Sequence, residues 1–259
     1  MTHKRKMMIG ALLLTVGTLA ALVIWQFEKP GSLVWENGFQ YQTQQTMMGK
    51  TYTHDLPVDT SKITDLEINV KDMAVKVILG DKFEVTTHSL SSKNSSKVSF
   101  DQGRLTVQDS GSEHTILNFG LGFVTNPTQM IIRIPKTQDL VTLVVKSRNG
   151  ELEFDHIASQ TAEITAGNGE MTFEHSEFDT LRATSVNGDI QLKQTDIAHG
   201  GKITNQNGDI AIKASRLPAF YAKTRWGDKE LDTPHQLSQT SQSEAKLIII
   251  NQNGDLEIE

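Results

Sequence analysis

Three groups of residues have the types and spacing to do chemistry. The first is a series of acids, Glu151, Glu170, Asp189 and Asp209, each directly after a glycine and spaced 19, 19 and 20 residues apart, with Asp228 at the next interval. Carboxylates set in a row can collect Ca²⁺, a hard cation that takes oxygen ligands. The flanking residues lack the Gly-Gly-x-Gly-x-Asp rhythm of calcium-binding rolls. Solvated acids at a turn account for the same positions, so neither metal nor cofactor is expected. The second group is His156 and His175, 19 residues apart and preceded by Asp155 and Glu174. Brought together, two imidazoles can hold a transition metal or report pH. The next equivalent positions are Gln194 and Ala214, which leaves fewer ligands than a closed site uses. The pair is therefore expected to be exposed and idle, and is kept only as a speculative interaction site. The third is the apolar stretch from Ile116 to Val124 with Phe119 and Phe123, read either as a flap or as a docking patch. Its Gly120-x-Gly122 lacks the third glycine and the strand-turn-helix setting of a dinucleotide site.

No catalytic residue is identified. Acids held at constant register do not converge as general acid-base catalysis requires, and no nucleophile-elbow motif supports a Ser-His-acid triad.

The elements that would position these residues follow from a repeat. Asn149-Gly150, Asn168-Gly169, Asn187-Gly188, Asn207-Gly208 and Asn253-Gly254 each precede an acid and an apolar-x-apolar triplet. With Asn as position one, positions four and six are Leu152/Phe154, Met171/Phe173, Ile190/Leu192, Ile210/Ile212 and Leu256/Ile258. Residues two apart on a strand share a face, so each triplet turns two apolar side chains inward. A second apolar cluster follows about ten residues later at Ile164, Leu181/Ala183, Ile203 and Phe220/Ala222. No such unit can bury its faces alone, which predicts an all-β fold, a β-solenoid of stacked coils of about 19–20 residues. Glycine allows a corner at positive φ, and asparagines stacked at that corner can bond from rung to rung. The competing arrangement makes each Asn-Gly a hairpin turn in an antiparallel sandwich. At Trp226-Gly227-Asp228 the Asn is replaced and Lys229 takes an inward place. There the coil is expected to open into a loop, with the Asn253 turn closing the column and Glu257 and Glu259 guarding its edge.

Residues 7 to 25 form an uncharged, apolar run of 19 behind Lys4, Arg5 and Lys6, long enough for a membrane-crossing helix with its N-terminus in the cytoplasm. A cleaved signal peptide, with small residues near Thr18-Leu19-Ala20, is the alternative. The predicted organisation is a basic cytoplasmic tail (1–6), a transmembrane signal-anchor helix (7–27), a juxtamembrane spacer (28–60) and an extracytoplasmic domain (61–259). With no cysteine, there is neither a disulfide framework nor a thiol nucleophile. Beyond residue 6 the formal charge is −9, so the surface is expected to have no basic footprint for nucleic acid or anionic lipid headgroups.

The anchor, Arg133-Ile134-Pro135 after a strand, and the segments Ser147-x-Asn-Gly-Glu-Leu-x-Phe and Ser185-Val-Asn-Gly-Asp-Ile-x-Leu together resemble the bacterial putative-adhesin domain family of unknown function. Its members include a membrane-anchored protein of the Lia envelope-stress operon. The resemblance covers about residues 60–259 and implies a β-solenoid on the outer face of the cytoplasmic membrane, without an activity. Trp226 and Lys229 depart from the repeat. The expected function is a non-enzymatic, single-pass envelope protein that presents an adhesin-like solenoid to a wall polymer or protein partner. Alternatives are an accessory of envelope-stress sensing acting on another membrane protein and, third, a polysaccharide-cleaving β-helix enzyme.

Overall fold

The computed structural model describes residues 10, 12–19, 32–35, 39–42, 50–56, 63–89, 96–109, 117–119, 128–135, 140–232 and 239–259. The chain divides into two units, residues 1–49 with 113–126, and residues 50–112 with 127–259. In the first, residues 12–19 are helical, and Ser32–Trp35 pairs antiparallel with both Phe39–Gln42 and Leu117–Phe119. These two strands, like Lys50–Thr53 of the second unit, lie in the stretch read as spacer, and Phe119 sits on the third strand of the first unit's sheet. Phe123 lies outside the described residues, as does much of the expected anchor. Among the described residues no helix is long and apolar enough to cross a membrane.

The second unit is built on parallel strands in two sheets, one of nine strands and one of ten. Four consecutive coils make its middle, each a long strand, an Asn-Gly corner and a four-residue strand. They are Leu140–Asn149 with Leu152–Asp155, Ala158–Asn168 with Met171–Glu174, Glu177–Asn187 with Ile190–Lys193, and Asp196–Asn207 with Ile210–Lys213. Successive coils pair in parallel with Asn opposite Asn. Parallel pairing needs a crossover, so these corners are not hairpin turns, and the antiparallel alternative fails here.

Strand alternation sends Leu152/Phe154, Met171/Phe173, Ile190/Leu192 and Ile210/Ile212 inward from the short-strand sheet, all fully or almost fully buried. From the long-strand sheet, Leu143/Val145, Ala162/Ile164 and Leu181/Ala183 complete one continuous core. Stacking aligns like with like: the Phe154 and Phe173 rings lie 5.0 Å apart and nearly parallel. The coil of 20 residues gains its extra residue through an irregularity opposite Phe178 and Thr180. There Gly200 and Gly201 both take positive φ, and a Cβ on Gly201 would collide with the Leu181 carbonyl. This is a bulge that leaves the stacking on either side intact.

At both ends the order in space departs from the order in sequence. The coil Leu247–Asn253 with Leu256–Ile258 lies directly on Asp196–Asn207 and Ile210–Lys213. The earlier segment Phe220–Trp226 with Lys229–Leu231 stacks outside it. The expectation of a loop at Trp226 and closure by the Asn253 turn is therefore corrected. The irregular coil is formed and makes the outermost rung, and Glu257 occupies an interior strand. Lys229 is tolerated in an inward register because only one neighbour lies beside it, and Lys223, Arg225 and Glu230 supply the charges that protect the exposed edge. At the opposite end Asp65–Asp72 with Ala74–Gly80 stacks on the 140–155 coil, and Arg104–Asp109 with Gln129–Pro135 lies beyond it. Antiparallel strands Ser96–Asp101, Glu84–Ser89 and Lys50–Thr53 finish this end.

Candidate functional sites

The Asn-Gly corner is held by two ladders of hydrogen bonds. Asn253 donates through Nδ2 to Asn207 Oδ1 (2.9 Å), Asn207 to Asn187 (2.9 Å), Asn187 to Asn168 (2.8 Å), and Asn168 to Asn149 (2.5 Å). Asn149 donates in turn to Asp72, which Arg148 also contacts at 2.8 Å. A carboxylate accepts and cannot donate, so Asp72 is a fitting terminus for a run in which every amide points the same way. The Asn149 bond first, and Arg148 second, hold the Asp72 carboxyl below its usual range. At the far end Trp226 stands opposite Asn253, largely exposed, in place of the amide that would donate to Asn253 Oδ1 and extend the series by one more rung.

The acids form the second ladder. Asp189 Oδ1 accepts from the backbone N–H of Asp209 (2.9 Å), Asp209 from that of Asp255 (2.8 Å), and Asp255 from that of Asp228 (2.9 Å). These carboxylates bond neighbouring backbone rather than being merely solvated, as sequence reasoning had them. A shallow acidic groove of about 430 Å³ beside them includes Glu230 and Glu257.

His156 and His175 lie at a second corner, after the short strands, and both have positive φ, 57° and 49°. Gln194 and Ala214 repeat that geometry on the next two coils, at 48° and 50°. The two imidazole rings stack at 4.6 Å with an interplanar angle of 21°. Asp155 Oδ1 lies 2.7 Å from His156 Nδ1 and 3.2 Å from His175 Nδ1. All three side chains are open to solvent, with Asp155 the most covered.

Net charge conceals a difference between the faces of the column. On the outer face of the short-strand sheet, Lys76 pairs with Glu153 (2.5 Å), Lys193 with Glu174 (3.1 Å), and Lys213 with Glu257 and Glu259 (3.0 and 3.1 Å). On the long-strand sheet, one outward row reads Lys146, Thr165, Thr184, Thr204, Ile250 and Lys223 across six rungs. The adjacent row reads Val144, Glu163, Arg182, Lys202, Ile248 and Tyr221. Among the described residues, no salt bridge engages Lys146, Arg182, Lys202, Lys223 or Arg225. A groove of about 460 Å³ runs along this face between Thr184, Thr204 and Ile250 and the residues Tyr221, Lys223, Arg225 and Gln242. Sequence reasoning missed this basic face because it aligned only inward positions. The same register, shifted by one residue, sets Arg182 beside Lys202 and brings Lys223 and Arg225 to the outermost rung of that face.

The model of the family described as Toastrack DUF4097 matches residues 63–259. None of the curated proteins matches the chain. Among solved structures, a "putative cell adhesion protein" from Clostridium sporogenes is 12% identical, with a TM-score of 0.43, 81% of this chain covered and 98% of that one. A "putative adhesin" from Bacteroides fragilis is also 12% identical, with a TM-score of 0.28 and coverages of 81% and 96%. The family match takes in all the parallel coils and both corners, so this chain belongs to the Toastrack DUF4097 family.

Proposed function

We propose that the chain is a non-enzymatic, membrane-anchored envelope protein whose solenoid-like column presents its long-strand face to an anionic wall polymer. The observation that supports this reading is a groove lined by Lys223 and Arg225, two cations outside any salt bridge among the described residues, which also offers threonine hydroxyls, glutamine amides and the Tyr221 ring, with Arg182 and Lys202 side by side on the same face. Hydroxyls and amides suit sugar or polyol oxygens, aromatic rings suit apolar sugar faces, and Lys and Arg neutralise phosphate or carboxylate. The short-strand face, whose lysines are already paired, offers no such charge. Anchoring is supported by the uncharged run from Met7 to Trp25 behind three basic residues, the pattern that keeps the N-terminus in the cytoplasm.

The test is retention of the full chain on poly(glycerol phosphate) and on an uncharged glycan. Combined reversal at Lys202→Glu, Lys223→Glu and Arg225→Glu should abolish retention on the anionic polymer, and Lys193→Glu with Lys213→Glu should leave it intact. Equal retention of both variants, or none by the parent chain, would sink the reading. Separately, the mature protein should sediment with membranes and keep Met7 to Trp25; an N-terminus near Ala21 would refute the anchor.

A further inference from the structure

The second corner carries a cluster with no evident use in holding the fold. Gln194 and Ala214 make the same turn on the following coils, so the corner does not need histidine. Asp155, His156 and His175 are nevertheless gathered so that one ligand atom from each lies within 4.8 Å of the others. We propose that these three residues form a binding site for a divalent transition-metal ion, Zn²⁺ or Cu²⁺.

Parallel, in-register stacking repeats each position one rung away, at about 4.8 Å. His156 and His175 share a position and backbone conformation, so their rings emerge side by side, 4.6 Å apart. Asp155 precedes one of them and turns a single oxygen toward both Nδ1 atoms, at 2.7 and 3.2 Å. Donors about 2.0–2.1 Å from a tetrahedral ion lie about 3.3 Å from one another. The carboxylate-imidazole separation to His175, 3.2 Å, is already close to that value, and the one to His156, 2.7 Å, needs only to widen slightly. The remaining adjustment is a rotation of the rings from their stack toward a common point, which half-exposed side chains can make.

Two imidazoles and one carboxylate suit a borderline ion, whereas Ca²⁺ and Mg²⁺ prefer oxygen alone. Three protein ligands leave a coordination position to water, as in open zinc sites. Glu174 faces the same corner, but its carboxylate is held by Lys193 at 3.1 Å. The ligand set therefore consists of the three residues named. A bound ion would tie two adjacent coils together across a corner that lacks the amide ladder of the Asn-Gly side.

The experiment is a titration of the full chain, first stripped with chelator, with Zn²⁺ by calorimetry and with Cu²⁺ by electron paramagnetic resonance. One saturable site per chain is expected, with two nitrogen donors in the Cu²⁺ spectrum. His156→Asn combined with His175→Asn should weaken Zn²⁺ binding roughly tenfold or more, and asparagine is chosen because it accepts positive φ. Asp155→Asn, which leaves the corner untouched, should also weaken binding and decides the matter if the double variant fails to fold. His199→Asn, on the bulge, should bind as the parent does. Absence of a saturable site, or equal affinity in Asp155→Asn and the parent, would overturn the proposal.

Discussion

The two corners of each coil make comparable reversals by opposite means. At the Asn-Gly corner the strained position is given to glycine and is surrounded by aligned hydrogen bonds. At the other corner His156, His175, Gln194 and Ala214 all hold φ near 50° with ordinary side chains. An L-residue there costs about 1–2 kcal/mol relative to right-handed backbone, offset by the strands on either side. The first corner has one residue type that fits. The second accepts many, so it is where coils can differ from one another.

Breaking the first corner should have the largest effect. Gly188 has φ of 130°, and a Cβ there would run into the Gly169 carbonyl of the coil beneath. Gly188→Val is expected to destabilise by about 3 kcal/mol or more, since it combines backbone strain with a collision against main chain. Urea denaturation measures this, and an unchanged midpoint would mean the corner is not rigid. Asn187→Ala removes one bond to Asn168 and one from Asn207. At this exposed site it should cost about 1 kcal/mol, in contrast to a substitution at Gln194, which belongs to neither ladder.

Acid should affect the same corner through Asp72. Its carboxyl is held below the ordinary value by Asn149 and Arg148. The stabilisation is therefore complete above the unfolded value, near pH 4, and is lost as pH falls through the lower folded value. Asp72→Asn should flatten that part of the stability-pH curve, and an unchanged curve would remove Asp72 from the account. The smallest effect is expected at the second corner, where Ala214→Gly relieves a positive φ but adds unfolded-state entropy. A net gain of about 0.5 kcal/mol is expected from the difference between these terms. A loss in melting temperature would show that Ala214 makes contacts worth more than its strain.

Much of the first corner was legible because glycine, asparagine and the apolar pairs recur at a fixed interval, and each type has a physical reason to be there. The second corner left no such mark, because left-handed backbone carried by His, Gln or Ala leaves no common residue to read. The roles of the acids were half visible. Glu151 and Glu170 give way to Asp189, Asp209, Asp255 and Asp228 in the part of the column where carboxylates bond the next backbone N–H. The order of rungs at the ends could not be read along the chain. Parallel pairing carries no trace of sequence proximity, and Leu256/Ile258 fits an interior rung as well as a final one. Lys229 and Trp226 were signs of a terminus in space, mistaken for a broken repeat in sequence. The strands near residues 32–53 were obscured by polar residues without sustained alternation.

That displaced order has a consequence for assembly. Without the segment Leu247–Ile258, the rung at Phe220–Leu231 stands one layer away from the coil that precedes it in the chain. A ribosome or export channel delivers residues in sequence, so the lid of the column emerges before the layer it must rest on. Simple end-to-end zippering stalls after Lys213, and the last layer and the lid must settle as a pair. A chain cut short within residues 247–258 would have a gap inside its stack rather than a shorter stack, a defect that exposes apolar surface on both sides and marks the incomplete molecule for proteolysis.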